Sequence, residues 1–152
     1  MKLYLIQHGE AKPEAEDPER SLTPKGEEEV RRVAAVAKKM DIRVLKVYHS
    51  GKRRAQQTAD ILASALTLPV ESAQGLNPLD EVRPWAERIL KEAKDLMIVG
   101  HLPFLEKLTS LLLCGDESAR VVLFRYGAIV CLDQIENRSW AVRWILMPEM
   151  VS

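Results

Sequence analysis

The chain has 152 residues, of which 47% are hydrophobic and only 5% aromatic, and its 22 Lys and Arg are balanced by 22 Asp and Glu. That length suits one domain over 1–152 with a sizeable core, and zero formal charge leaves no broad basic field for nucleic acid or anionic lipid. The two cysteines, Cys114 and Cys131, have neither CxxC nor metal spacing and read as buried thiols, while the first apolar run, Leu3 to Ile6, is too short for a signal peptide and no stretch approaches a membrane span, so a cytoplasmic protein is expected.

Leu3 to Ile6 begins a strand that runs into Gln7-His8-Gly9-Glu10. Lys12 to Arg20, rich in charge and proline, reads as an exposed loop. Thr23 then suits a helix N-cap, Pro24 the first helical position and Glu27 to Glu29 the positive end of the dipole. Val30, Val33, Ala34, Ala37 and Met40 recur at helical spacing. Val44 to Tyr48 reads as a strand, and Ala55, Thr58, Ala59, Leu62, Ala65 and Leu66 as the inner face of a second helix. Pro84 to Ala93 predicts a third helix with Trp85, Ile89 and Leu90 inward. Leu96 to Val99 is continuously apolar, as a doubly buried parallel strand should be. Pro103 to Leu113 predicts a helix closed by Gly115. Val121 to Arg125, Ile129 to Ile135 and Trp140 to Met147 read as late strands, the last two joined by a hairpin through Glu136-Asn137-Arg138-Ser139. Alternating strands and helices imply an α/β three-layer sandwich: a mostly parallel central sheet, an antiparallel edge, and helices on both faces.

Two histidines stand where apolar strands stop, His8 after Ile6-Gln7 and His101 after Val99-Gly100, each with a glycine beside it. The carboxyl ends of strands form the ligand crevice of an open α/β sheet, so the two imidazoles point to one shared site. A lone histidine at a strand end is more often structural than catalytic, and it is the pairing that carries weight. Ser50 to Ala59 follows a strand and opens a helix. Backbone N–H groups there favour an anion, and arginine adds bidentate donors matched to phosphate. Of the three consecutive cations Lys52, Arg53 and Arg54, at least one belongs to solvent, because adjacent helical side chains diverge. A metal site from His8, His49 and His101 is a poor alternative, since nothing in the sequence aims His49 at the crevice. No carboxylate cluster suggests Mg²⁺.

The ordered set strand-His-Gly-Glu, Leu-Thr-x-x-Gly, Arg-Ala-x-Gln-Thr-Ala and strand-Gly-His resembles the histidine phosphatase superfamily, and the short chain is most similar to its SixA-type phosphohistidine phosphatases. The resemblance implies a phosphoglycerate mutase-like fold and a metal-independent phosphohydrolase that needs no cofactor. It implies His8 as the nucleophile, Arg54 as a phosphate ligand and His101 as the second histidine that binds and stabilises the transferring group. It gives Leu22, Thr23 and Gly26 a structural role. Asp80 and Glu81, in the short Gln74 to Pro84 stretch, lie near where relatives place the general acid, and Glu10 is expected to orient a neighbour. The first motif of the family reads Arg-His-Gly, whereas this chain has Gln7. An amide there can still bind substrate but carries no charge, and Lys12, Lys52 and Arg53 are candidates to compensate. The implied substrate is phosphohistidine on a signalling or phosphotransfer protein. The alternatives are a small phosphoester, or phosphate recognition without turnover because of Gln7.

Overall fold

The computed structural model describes residues 1–151. The strands are β1 (Lys2–Gln7), β2 (Val47–His49), β3 (Val70–Ser72), β4 (Leu96–Gly100), β5 (Ile129–Gln134) and β6 (Trp140–Leu146). The helices are α1 (Pro24–Lys39), α2 (Arg53–Leu66), α3 (Arg83–Glu92) and α4 (Phe104–Cys114). The six strands form one sheet in the order β3-β2-β4-β1-β5-β6. β1, β2, β3 and β4 pair in parallel, and β5 runs antiparallel to both of its neighbours.

Alternation along the strands divides the core into two layers. Leu3, Leu5, Ile98 and Leu132 pack on Trp85, Ile89, Phe104 and Leu108 of α3 and α4. Tyr4, Ile6, Val99 and Ile129 pack on Val30, Val33, Ala59 and Leu62 of α1 and α2. The result is the expected helix–sheet–helix sandwich. No helix among the described residues is long and apolar enough to cross a membrane.

Several expectations are corrected. Val121 to Arg125 is not a strand: Phe124 is buried and Val122 partly so, but the segment forms no ladder among the described residues. β3 has no counterpart in the sequence reading, because its three residues are all exposed at the sheet edge. Leu90 and Met40 face solvent rather than the core, and Cys114 is exposed whereas Cys131 is buried. The hairpin between β5 and β6 is present, with a short 3-10 turn over Glu136–Arg138.

Candidate active site

The strand order puts β4 between β2 and β1, so three parallel strands end side by side. Their next residues, Ser50, His101 and His8, therefore meet at one edge of the sheet. The His8 and His101 rings lie 5.0 Å apart between centroids. The backbone N–H of His8 continues the ladder by donating to Gly100 O at 3.0 Å. His8 Nδ1 lies 2.7 Å from Gly9 O. A carbonyl only accepts, so the imidazole proton sits on Nδ1 and Nε2 presents its lone pair. Arg54 Nε donates to that Nε2 at 3.3 Å. Ser50 Oγ and His101 Nε2 share a hydrogen bond of 2.6 Å, while His101 Nδ1 is buried without a partner among the described residues.

Both imidazoles are buried, His8 with 6% and His101 with 1% of its surface exposed. Burial pushes the His8 pKa down to about 4, assisted by the Arg54 and Arg20 charges and opposed by the bond to Gly9 O. Burial likewise pushes His101 down to about 3, with further lowering by His8, Arg54, Lys52 and Arg20. Both rings are neutral near pH 7.

Five hydrogen bonds hold this corner together. Thr58, fully buried on α2, accepts from Gly9 N–H at 3.0 Å and donates to Arg54 O at 2.8 Å. Gln57 Oε1 accepts from Leu22 N–H at 2.7 Å. Thr23 caps α1 by accepting from Gly26 N–H at 2.9 Å, and its own N–H donates to Glu10 O at 3.0 Å. Gly26 is demanded by this approach, because a Cβ there would stand 2.2 Å from Glu10 O.

Residues 3–81 match the histidine phosphatase superfamily, branch 1. The chain belongs to that superfamily. It is 35% identical over 138 residues to an uncharacterized protein of Picosynechococcus sp. strain PCC 7002, covering 85% of this chain and 83% of the relative. It is 26% identical over 155 residues to the phosphohistidine phosphatase SixA of Escherichia coli K12, covering 97% and 94% of the two chains. It is also similar to the solved structure of the protein histidine phosphatase SixA complexed with tungstate, at 25% identity and a TM-score of 0.86, with 99% of each chain covered. Within the superfamily this is a SixA-type fold.

The structure brings together three residues singled out from the sequence, His8, His101 and Arg54. Gln7 is 93% buried on the face of β1 that carries Leu3 and Leu5, and its Oε1 has no partner among the described residues. No hydrogen bond joins its side chain to either histidine or to Arg54 among those residues. Asp80 spends one carboxylate oxygen on Asn77 N–H at 2.8 Å. Glu81 is exposed, and it lines a cleft of about 800 Å³ together with Ser50, Gly51 and Asp80. A second cleft of about 550 Å³ shares Gly51 and is lined by Arg20, Lys52, Arg53 and Arg54, with Glu14 and Glu19 on its rim. Ser50 lines the first cleft and Arg54 the second, and each touches one of the imidazoles. His49 turns its Nδ1 to Gly51 N–H at 3.0 Å. Among the described residues no three His, Cys, Asp or Glu side chains cluster as metal ligands would.

Sequence reasoning missed Ser50, Tyr126 and Arg20. The Tyr126 ring lies 5.5 Å from His8 and is half-exposed. It is aimed by Arg125, which binds Glu29 at 2.6 Å, Glu149 at 2.8 Å and the Tyr126 carbonyl at 2.7 Å. Nothing in the local sequence marked that loop as part of the site.

Proposed function

We propose that the chain is a metal-independent phosphohydrolase that works through a phosphohistidine at His8. The observation that carries this reading is the His8 imidazole: neutral, protonated at Nδ1 toward Gly9, and offering Nε2 to the guanidinium of Arg54. In the proposed reaction Nε2 attacks phosphorus and the bond to the leaving group breaks. Arg54 moves its donors from Nε2 to the phosphoryl oxygens, and His101 supports the same group. Water then cleaves the N–P bond and restores the imidazole. Preorganised donors carry most of such a transfer, because charge spreads over the equatorial oxygens.

The proposed substrate is phosphohistidine on a signalling or phosphotransfer protein in the cytoplasm, with residues 1–152 acting as one domain. The likeness to SixA supports this choice, as does a pair of open clefts without a covering insertion at Gln74 to Pro84. An imidazole leaving group needs little help from an acid, since its pKa lies near 6.5. Where an alkoxide leaves, Glu81 is the better-placed donor, because Asp80 is tied to Asn77. The second reading is phosphate recognition without turnover, favoured by the uncharged side chain of Gln7, whose buried Oε1 has no partner among the described residues.

The test is turnover of a phosphohistidine-bearing phosphotransfer protein and of p-nitrophenyl phosphate, with acid quenching. Wild type should carry acid-labile, base-stable phosphate, absent from His8→Ala. Full activity in His8→Ala would overturn the nucleophile assignment, and binding without any turnover would establish the second reading.

A further inference from the structure

We infer that Tyr126 contacts the substrate and selects its leaving group, the tyrosine ring packing on a flat aromatic group such as imidazole or phenyl. This role rests on the hydrolase reading for its chemistry and on the loop before β5 for its location. The Tyr126 and His8 ring centroids lie 5.5 Å apart with their planes tilted by 41°, so the rings form an open wedge rather than a closed stack. His8 is buried, whereas Tyr126 keeps 42% of its surface open. Burial and then the Arg20 charge lower the Arg54 pKa, and Tyr126 opposes them, which puts the phenol on the Arg54 side of His8. Arg54 meets His8 at Nε2, the atom proposed to attack. The open ring therefore flanks the space that phosphorus and its leaving group would occupy.

The loop holds that ring in place. Gly127 N–H donates to Gln7 O at 2.9 Å, and Ala128 N–H closes a turn on Arg125 O at 3.1 Å. Gly127 has φ 74°, in the left-handed region that favours glycine, and a Cβ there would stand 3.4 Å from Pro148 Cγ. Arg125 binds the Tyr126 carbonyl with one amino group and reaches Glu29 and Glu149 with its other nitrogens. Glu29 is a buried carboxylate of α1, so the clamp is rooted in the core. A tyrosine that only faced solvent would gain nothing from such anchoring. A ring already fixed gives up little conformational freedom when a partner packs on it, and more of the contact appears as affinity.

The two clefts offer a leaving group no comparable surface. The one beside Arg54 is lined almost wholly by charged and polar side chains, which suit a phosphoryl group. The one beside Ser50 has Ala73 and Pro84 but no aromatic ring. Tilted or offset aromatic pairs gain more than the area they bury, so Tyr126 favours a ring over an alkyl chain of equal size. An imidazole leaving group presents such a ring, and a seryl group does not.

The experiment compares Tyr126→Ala, Tyr126→Leu and Tyr126→Phe with wild type. The readouts are the Kd values of phenylphosphonate and methylphosphonate, kcat/KM on p-nitrophenyl phosphate and on O-phosphoserine, and the melting temperature. Wild type should bind phenylphosphonate more tightly than methylphosphonate. Tyr126→Ala should reduce that preference by about threefold to tenfold, and should lower the ratio of kcat/KM for p-nitrophenyl phosphate over O-phosphoserine by a similar factor. Tyr126→Phe keeps the ring and should hold both ratios within about twofold of wild type. Tyr126→Leu keeps apolar bulk without the ring, so it should lose the preference by about twofold or more, and it carries the comparison if Tyr126→Ala melts early. Ratios unchanged in a folded Ala or Leu variant would overturn the inference. So would a loss in Tyr126→Phe as large as in Tyr126→Ala, since the hydroxyl would then be responsible. The phosphonates resist hydrolysis, so a Tyr126-dependent preference in a protein that turns nothing over would uphold this inference and refute the hydrolase reading. Turnover through His8 with ratios blind to position 126 would do the reverse.

Discussion

Acidification should unfold this protein through its two buried histidines. His8 titrates at about 4 and His101 at about 3 in the folded chain, against about 6.5 when unfolded. Between pH 6.5 and 4 the unfolded chain therefore binds protons at these sites and the folded chain does not. Stability is fully present above pH 6.5, falls as pH drops through that window and levels off below the folded values. For His8 alone the gap corresponds to about 3 kcal/mol, since each pKa unit is about 1.4 kcal/mol. Carboxylates also titrate in this range, so the histidine contribution is isolated with His8→Gln, which puts an uncharged amide of similar size in place of the imidazole. Urea denaturation at pH 7, 6, 5 and 4.5 should show wild type losing stability more steeply than His8→Gln. The same neutral imidazole is the proposed nucleophile, so kcat/KM should hold down to pH near 5 and its acid limb should reflect a group near 4. Parallel stability profiles for the two proteins, or an acid limb centred near 6.5, would refute the claim that burial keeps His8 neutral.

Two further outcomes test the scaffold. Thr58→Val keeps the side-chain volume but leaves the buried Gly9 N–H without its acceptor, which should cost about 1–3 kcal/mol in denaturant melts and lower kcat more than it raises KM, because the His8–Gly9 turn loses its anchor; unchanged stability would show that the bond contributes nothing. Gly26→Ala drives a methyl group against Glu10 O and should destabilise by about 1–3 kcal/mol, with a thermal shift as the check, and a variant as stable as wild type would mean the α1 start can move freely.

The sandwich was legible because its strands and helices have clear periods. Leu96 to Val99 is apolar throughout and lies buried between β1 and β2, and the inner faces of α1 and α2 repeat at three and four residues. The failures have physical causes. Val70-Glu71-Ser72 forms an edge strand by pairing with β2, an interaction that leaves no hydrophobic pattern. Val121 to Arg125 looks like a strand because Val122 and Phe124 pack on the core while Val121 and Leu123 are exposed, yet the segment forms no ladder among the described residues. His8, His101 and Arg54 were legible because strand ends and a helix start fix where they go. Arg20 was not, since its place depends on how Asp17, Ser21 and Lys12 close a loop. Tyr126 depends on an ion-pair cluster between Arg125, Glu29 and Glu149, whose members are remote in sequence.

The segment Arg-Ala-x-Gln-Thr-Ala shows why a phosphate site of this kind is written into one turn of helix. Residues three and four apart share a helical face. On α2 that face carries Arg54, Gln57 and Thr58, and each holds a different part of the site. Arg54 meets His8 Nε2, Thr58 holds the Gly9 N–H, and Gln57 holds the Leu22 N–H. Ala55 and Ala59, both fully buried, let this turn pack closely on its other side. The Gln57 contact reaches beyond the two histidines. Leu22 lies two residues past Arg20 and bridges to Ala11, so the bond from Gln57 anchors one end of the loop that carries Arg20 into the cleft. One helical turn thus sets the nucleophile, the guanidinium facing it and the base of the loop bearing Arg20. A change at position 7 then leaves those positions intact, because Gln7 hangs from β1 and none of the three contacts passes through its side chain.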